Sequence, residues 1–177
     1  YLSEAEDLIA LDQIEALFNE AELSENPSPT MLKIAILFAK SGSPKRSEEA
    51  LKLITPKVLS DQKFIEYSLL KIELSLRSHD PNAAEKVINH ARFELLKSSM
   101  SRKNRQRVLS LRADINNELG YPIEGIKNLT ELSLLLESQS NSLKIHNRIW
   151  RELTSLPFDT LSKCAKDKIY SLGEWCN

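Results

Sequence analysis

Residues 63–96 read KFIEYSLLKIELSLRSHDPNAAEKVINHARFELL, and they contain two apolar patterns on either side of the turn Ser78-His79-Asp80-Pro81. Apolar residues recur at three- and four-residue intervals, as in amphipathic helices. The first pattern comprises Phe64, Leu69, Ile72, Leu74 and Leu76, and the second Ala83, Ala84, Val87, Ile88, Ala91 and Leu95. Asp80 can cap the second helix, and Pro81 occupies a first-turn position where its missing N–H costs nothing. The stretch therefore predicts two antiparallel helices.

Similar hairpins precede and follow this one. Ala50 and Ala84 occupy equivalent places 34 residues apart, which is the tetratricopeptide period, and Gly125 follows after 41 residues. Small residues are required where paired helices cross closely, and Ala113, Gly120 and Gly125 provide them in the third hairpin. Ile72 replaces the small residue expected in the opening hairpin, and the loops differ in length. We predict an all-α fold, an irregular tetratricopeptide-like solenoid of antiparallel helix pairs.

Prolines, glycines and polar breaks predict the other helix boundaries. The first four predicted helices are a helix or broken pair over 1–23, one from Thr30 that stops at Ser41-Gly42-Ser43-Pro44, one that ends or kinks at Pro56, and one over about 102–119 ending at Gly120. Its partner begins at Pro122, and a final group covers 143–156, about 159–165 and from about 168.

The composition suits one helical-repeat domain over residues 1–177. The net charge of −1 gives no reason to expect nucleic acid or an anionic membrane surface as a partner. The presence of only four glycines favours helix over sheet. The chain begins at Tyr1 rather than Met, so we interpret it as a fragment of a longer protein. Apolar runs such as 34–39 are too short to span a bilayer.

The sequence offers no recognisable catalytic or metal-binding pattern. His79, His90 and His146 have no acidic or thiol neighbour at ligand or triad spacing, and a glycine-rich phosphate loop is absent. We therefore expect a non-enzymatic protein without a cofactor or metal. Cys164 and Cys176 either form a disulfide between terminal helices or remain two separate thiols.

The first helix of each pair usually lines the concave face of a solenoid. Here that face would present Lys33, Tyr67, Lys71 and Arg105, which would suit an acidic peptide of a partner protein. The basic run over 102–107 places cations at a helix N-terminus, against the helix dipole. It indicates either an anionic partner or a solvated face that tolerates this cost.

The C-terminal segment 143–157, LKIHNRIWRELTSLP, is followed after a short helix by YSLGEW over 170–175. These elements resemble the N-terminal domain of the LpoA family of penicillin-binding protein activators, in which an Asn-x-x-x-Trp-x-x-Leu helix precedes a Gly-Trp-Leu-like element. Here His146 stands where that Asn would fall, and Glu174 is inserted between Gly173 and Trp175. We expect Trp150 to pack on the same helix face as Leu153, with Trp175 closing the solenoid against them.

The resemblance implies a non-enzymatic scaffold within an outer-membrane lipoprotein, on the periplasmic face of that membrane in a Gram-negative bacterium. Its partner would be a class A penicillin-binding protein active in peptidoglycan synthesis, with peptidoglycan as a further candidate ligand. A larger domain similar to periplasmic binding proteins would follow this chain, and an upstream lipid anchor would attach the protein to the membrane. The alternative function is a tetratricopeptide adaptor that binds an acidic peptide.

Overall fold

The computed structural model describes residues 2–24 and 27–166, with side chains at 11–24 and 27–162. These residues form α-helices and two short 3-10 helices, Pro56–Val58 and Lys97–Ser99, and contain no β-strand. The α-helices are α1 (Leu2–Glu22), α2 (Ser28–Lys40), α3 (Pro44–Lys52), α4 (Asp61–Arg77), α5 (Pro81–Ile88), α6 (Ala91–Leu96), α7 (Arg102–Glu118), α8 (Pro122–Leu134), α9 (Gln139–Thr154) and α10 (Phe158–Lys166). The predicted all-α, tetratricopeptide-like fold is confirmed.

The chain divides into two compact units. The first comprises the residues up to 78 together with 87–96, and the second comprises 79–86 together with the residues from 97 onward. Within the first unit, α2 packs against α1, α3 and α4, and α6 packs against α4. Within the second, α8 packs against α7 and α9. Helices close in sequence are therefore neighbours in space, as in repeat proteins. The single-domain organisation over 1–177 stays a prediction.

The turns between helices follow the predicted backbone chemistry. Gly42 and Gly120 have φ angles of 77° and 82°, in the left-handed region that glycine enters without a Cβ penalty. The Ala83 backbone N–H donates to Asp80 Oδ1 at 2.9 Å, which confirms the predicted cap of α5. Pro56 neither ends nor kinks α3, because that helix has already ended and Pro56 begins a 3-10 turn.

The second arm of the opening hairpin is not one helix, which corrects the prediction. Helix α5 ends at Ile88, and the imidazole Nδ1 of His90 accepts the backbone N–H of Arg92 at 3.2 Å, so His90 begins α6 as a cap. The restart changes the helical register. Phe93 consequently occupies the core, whereas Leu95, which was predicted on the apolar stripe, is 79% exposed. Ala91 is exposed as well.

Within the first unit, Arg46 of α3 adds a polar connection to α1. Its guanidinium forms an ion pair with Glu15 of α1 and another with Glu49. It also lies 4.7 Å from the ring centroid of Phe18 and 5.5 Å from that of Phe38, within cation–π range. The hydrogen bond from Arg46 lowers the pKa of Glu15, and partial burial opposes that shift only in part.

The crossing of α7 and α8 depends on Gly125. A Cβ at this position would lie 2.4 Å from Asn117 Oδ1 and 3.2 Å from the carbonyl oxygen of Ala113. The first distance is shorter than any tolerated contact, and the second involves backbone that cannot rotate away. Ala113 is fully buried beneath the crossing. The close approach of the α7 backbone therefore explains why a small residue is required at position 125, as the sequence predicts.

We expect Gly125→Ala to destabilise the protein by about 1 kcal/mol, because overpacking costs more than the helix propensity that alanine supplies. Chemical unfolding followed by circular dichroism measures the change. The double variant Asn117→Ala/Gly125→Ala removes the nearest clash, so it should lose less stability than the sum of its single variants. A Gly125→Ala variant more stable than the parent would contradict this account.

The Glu15–Arg46 pair predicts a pH dependence of stability. Since the folded-state pKa of Glu15 is lowered, its stabilising contribution exists above the unfolded pKa of about 4.3 and disappears as the pH falls through the folded value. We expect Glu15→Gln to cost less than about 1 kcal/mol at pH 7, since the pair is partly exposed, and to flatten the acid side of the profile. Thermal unfolding between pH 3 and pH 7 measures both effects.

Glu20→Gln is the matched control for this prediction, since Glu20 lies on the exposed side of the same helix. It removes the same charge without touching Arg46. Equal pH profiles for the two variants would contradict a specific contribution from Glu15.

Candidate interaction surfaces

A groove of about 430 Å³ lies between α3 and α4 in the first unit. Tyr67 and Lys71, both predicted as partner-binding residues, line it, and Lys71 Nζ lies 5.8 Å from the Tyr67 ring centroid. The other lining residues are Glu48, Leu51, Lys52, Ile54, Leu74 and Ser75. Two lysines and one carboxylate give the groove a small excess of positive charge.

The structure separates the four predicted partner-binding residues. Tyr67 is only 8% exposed and stacks on Phe64 with 6.4 Å between ring centroids, so it forms a wall of the groove rather than a projecting side chain. Lys33 is exposed on α2 but does not line this groove. Arg105 belongs to the second unit. Their role in binding a partner stays a prediction.

A smaller cavity, of about 230 Å³, lies between α7 and α8 in the second unit. Its α7 side consists of residues at successive three- and four-residue spacings, so one stripe of that helix lines the cavity. The lining residues are Lys97, Met100, Arg105, Val108, Leu109, Arg112, Asn128, Glu131 and Leu135. Among these residues, only Arg105 was predicted from the sequence to bind a partner. The charge of Arg112, which interrupts the apolar pattern of α7, was the sequence signal that could have indicated this cavity.

The basic run over 102–107 has a structural function that the sequence interpretation missed. Arg102 Nε and Gln106 Nε2 donate to the carbonyl oxygen of Leu135 at 2.9 and 2.6 Å, at the C-terminal end of α8. Arg102 also forms an ion pair with Glu137. A cation at the start of α7 is thus placed beside the negative end of the neighbouring helix dipole, which offsets the cost at its own helix.

Helix α9 is held to α7 by Arg148. Its guanidinium donates to Asp114 Oδ1 at 2.6 Å and to Glu152 Oε1 at 2.8 Å. Burial by itself would lower the pKa of Arg148, but the hydrogen bond to Glu152 and the charge of Asp114 raise it above its ordinary value. The guanidinium is therefore permanently charged, and its position in the network is structural.

The packing role predicted for Trp150 is wrong. Trp150 is 58% exposed, whereas the neighbouring Ile149 is fully buried and Leu153 is 4% exposed. The buried stripe of α9 passes through positions 149 and 153, four residues apart, and Trp150 lies next to this stripe on the surface. The predicted contact of Trp175, and the choice between a disulfide and two thiols at Cys164 and Cys176, lie outside the described side chains.

The histidines lie in dissimilar places. His79 occupies an exposed turn with a φ angle of 55°, His90 caps α6, and His146 is half-buried in α9. Across the described residues, no group of three or more His, Cys, Asp or Glu side chains is arranged to hold a metal ion. No helix in this part of the chain has the length and apolar character needed to cross a membrane.

Comparison with known proteins identifies the family. The LppC lipoprotein family matches residues 9–177. A crystal structure of LpoA from Haemophilus influenzae has the same fold, with a TM-score of 0.65 and 16% sequence identity over 92% of this chain. The matched region is 30% of the length of that LpoA chain. No curated protein matches significantly. With nearly its entire length matched by the family, this chain belongs to the LppC lipoproteins.

Proposed function

We propose that this chain is a non-enzymatic helical domain of an outer-membrane lipoprotein that activates a class A penicillin-binding protein. The domain acts as a spacer and as an interaction surface on the periplasmic side of that membrane. The observation that carries the proposal is the family match over residues 9–177, together with the fold likeness to LpoA. Because the chain spans only 30% of that LpoA chain, the activity belongs to the longer protein.

The architecture of the domain supports a role as a scaffold. Helices that follow one another in sequence are joined by apolar faces, and ion pairs connect helices two apart, since Arg46 joins α3 to α1 and Arg148 joins α9 to α7. Within each unit, helices that follow one another in sequence pack together, as in repeat proteins that bind partners through their exposed helix faces. The described grooves are open and combine apolar walls with a few charges, features typical of surfaces that bind other proteins.

The test is co-purification of the full-length lipoprotein with its partner from the native envelope. A tagged full-length lipoprotein, extracted in mild detergent, should retain a class A penicillin-binding protein. Purified together, the lipoprotein should also raise the rate at which that enzyme polymerises or cross-links peptidoglycan. The amount of enzyme recovered and its rate of synthesis are the two measurements.

The matched control is the same lipoprotein without its helical domain but with its lipid anchor. If the domain is a spacer and interaction surface, this variant should recover less enzyme from the envelope. A full-length lipoprotein that retains no penicillin-binding protein and leaves its rate unchanged would refute the proposed function. Equal recovery by both forms would remove the helical domain from it.

A further inference from the structure

We propose that the cavity between α7 and α8 binds an acidic side chain of an extended protein segment, with Arg105 as the main charged contact. This inference does not rest on the proposed activation of a penicillin-binding protein. It rests on the charge, size and position of the cavity.

The cavity carries an excess of positive charge. Lys97, Arg105 and Arg112 line it, against the single carboxylate of Glu131. The chain as a whole has a net charge of −1, so this local excess does not reflect a generally basic surface. Lys97 and Arg112 also interact with other groups of the protein, so the charge of Arg105 is the main attraction for a carboxylate that enters the cavity.

Arg105 differs from the other arginine of the run that faces α8. Arg102, one turn earlier, is engaged with the Leu135 carbonyl and with Glu137. The side chain of Arg105 is exposed and has neither a hydrogen bond nor an ion pair with any other described residue. It lies in the first turn of α7, where an anion is favoured by the helix dipole and a cation is not. An anionic ligand beside Arg105 would pair with its charge and would also be favoured by the dipole of α7.

The size of the cavity favours a single side chain as the occupant. Its volume of about 230 Å³ is below the roughly 300–1,000 Å³ of pockets that enclose small molecules. Val108 and Leu135 provide apolar contacts beside the charged groups, which suits the methylene groups of Glu or an aliphatic neighbour in the peptide. Glu131 repels a doubly charged group such as a phosphate more strongly than it repels a singly charged carboxylate. These features select a peptide carboxylate.

The probe is a fluorescein-labelled peptide of sequence GSELEGS, compared with GSQLQGS, which has the same shape without the charges. We expect the full-length lipoprotein to bind the acidic peptide at least about tenfold more tightly, as charge-assisted hydrogen bonds are the stronger ones. Fluorescence polarisation at low and physiological salt measures binding, which should weaken as salt screens the charges.

Three variants locate the site. Arg105→Gln should weaken binding of GSELEGS by about tenfold, whereas Lys103→Gln, which removes an exposed charge from the same helix but not from the cavity, should leave it within about twofold. Glu131→Gln removes the repulsive carboxylate and should strengthen binding. Because all three substituted side chains are exposed, the thermal unfolding temperature of each variant should match that of the parent protein.

Several results would overturn the inference. They are no binding of GSELEGS up to millimolar concentration, equal binding of the two peptides, and equal losses from Arg105→Gln and Lys103→Gln. Each is independent of whether the lipoprotein recovers a penicillin-binding protein, so the two proposals can fail separately.

Discussion

The close approach of paired helices is the constraint on which the rest of this structure depends. At the α7–α8 crossing, a Cβ on Gly125 would lie 2.4 Å from Asn117 Oδ1 and 3.2 Å from the Ala113 carbonyl oxygen, so a methyl group would require its neighbours to shift. At the α2–α3 crossing, the Ser47 hydroxyl donates to the Ala35 carbonyl at 2.7 Å, and Ala50 is fully buried. Small side chains let the backbones meet, and the larger apolar residues on either side then interdigitate. A bulky residue at either crossing would separate the helices and open both cores.

Arginines complete this packing at the ends of helices. Arg92 donates to the carbonyl oxygens of Pro56 and Leu59 and to Asp61 Oδ1, with its guanidinium 4.3 Å from the Phe64 ring centroid. Arg102 has the corresponding role at the end of α8 in the other unit. The planar guanidinium carries several donors in a fixed geometry, so one side chain binds several carbonyl oxygens at helix ends. Lysine could not replace it there without losing donors.

Local signals predicted most of the fold. The caps at Asp80 and Gly120, and the small residues at 113 and 125, each act over a few residues and are visible as sequence patterns. The break before Ala91 was missed because its cause is a histidine side chain acting as a cap, which competes with an uninterrupted helical pattern. Periodicity alone continued the helix and therefore placed Leu95, rather than Phe93, in the core.

Candidate surfaces were harder to predict than the core, because a charged residue in a repeat protein has two possible uses. In the basic run, Arg102 stabilises the neighbouring helix end, while Arg105, three positions later, lines a cavity. Sequence spacing assigns them nearly the same helix face and does not distinguish the two. The difference arises from where α8 ends, since Leu135 lies opposite Arg102 and Glu137 follows it. The position of the α8 end relative to α7 therefore decides that Arg102 stabilises the fold, whereas Arg105 lines the cavity.

Trp150 illustrates the same separation on α9. The residue belongs to the motif that resembles the family, yet it is exposed beside a stripe whose buried members are aliphatic. Burial of Ile149 and Leu153 already accounts for the packing of this helix, so the indole is not required for the core. The motif that resembles the family therefore combines a buried residue, Leu153, with an exposed one, Trp150.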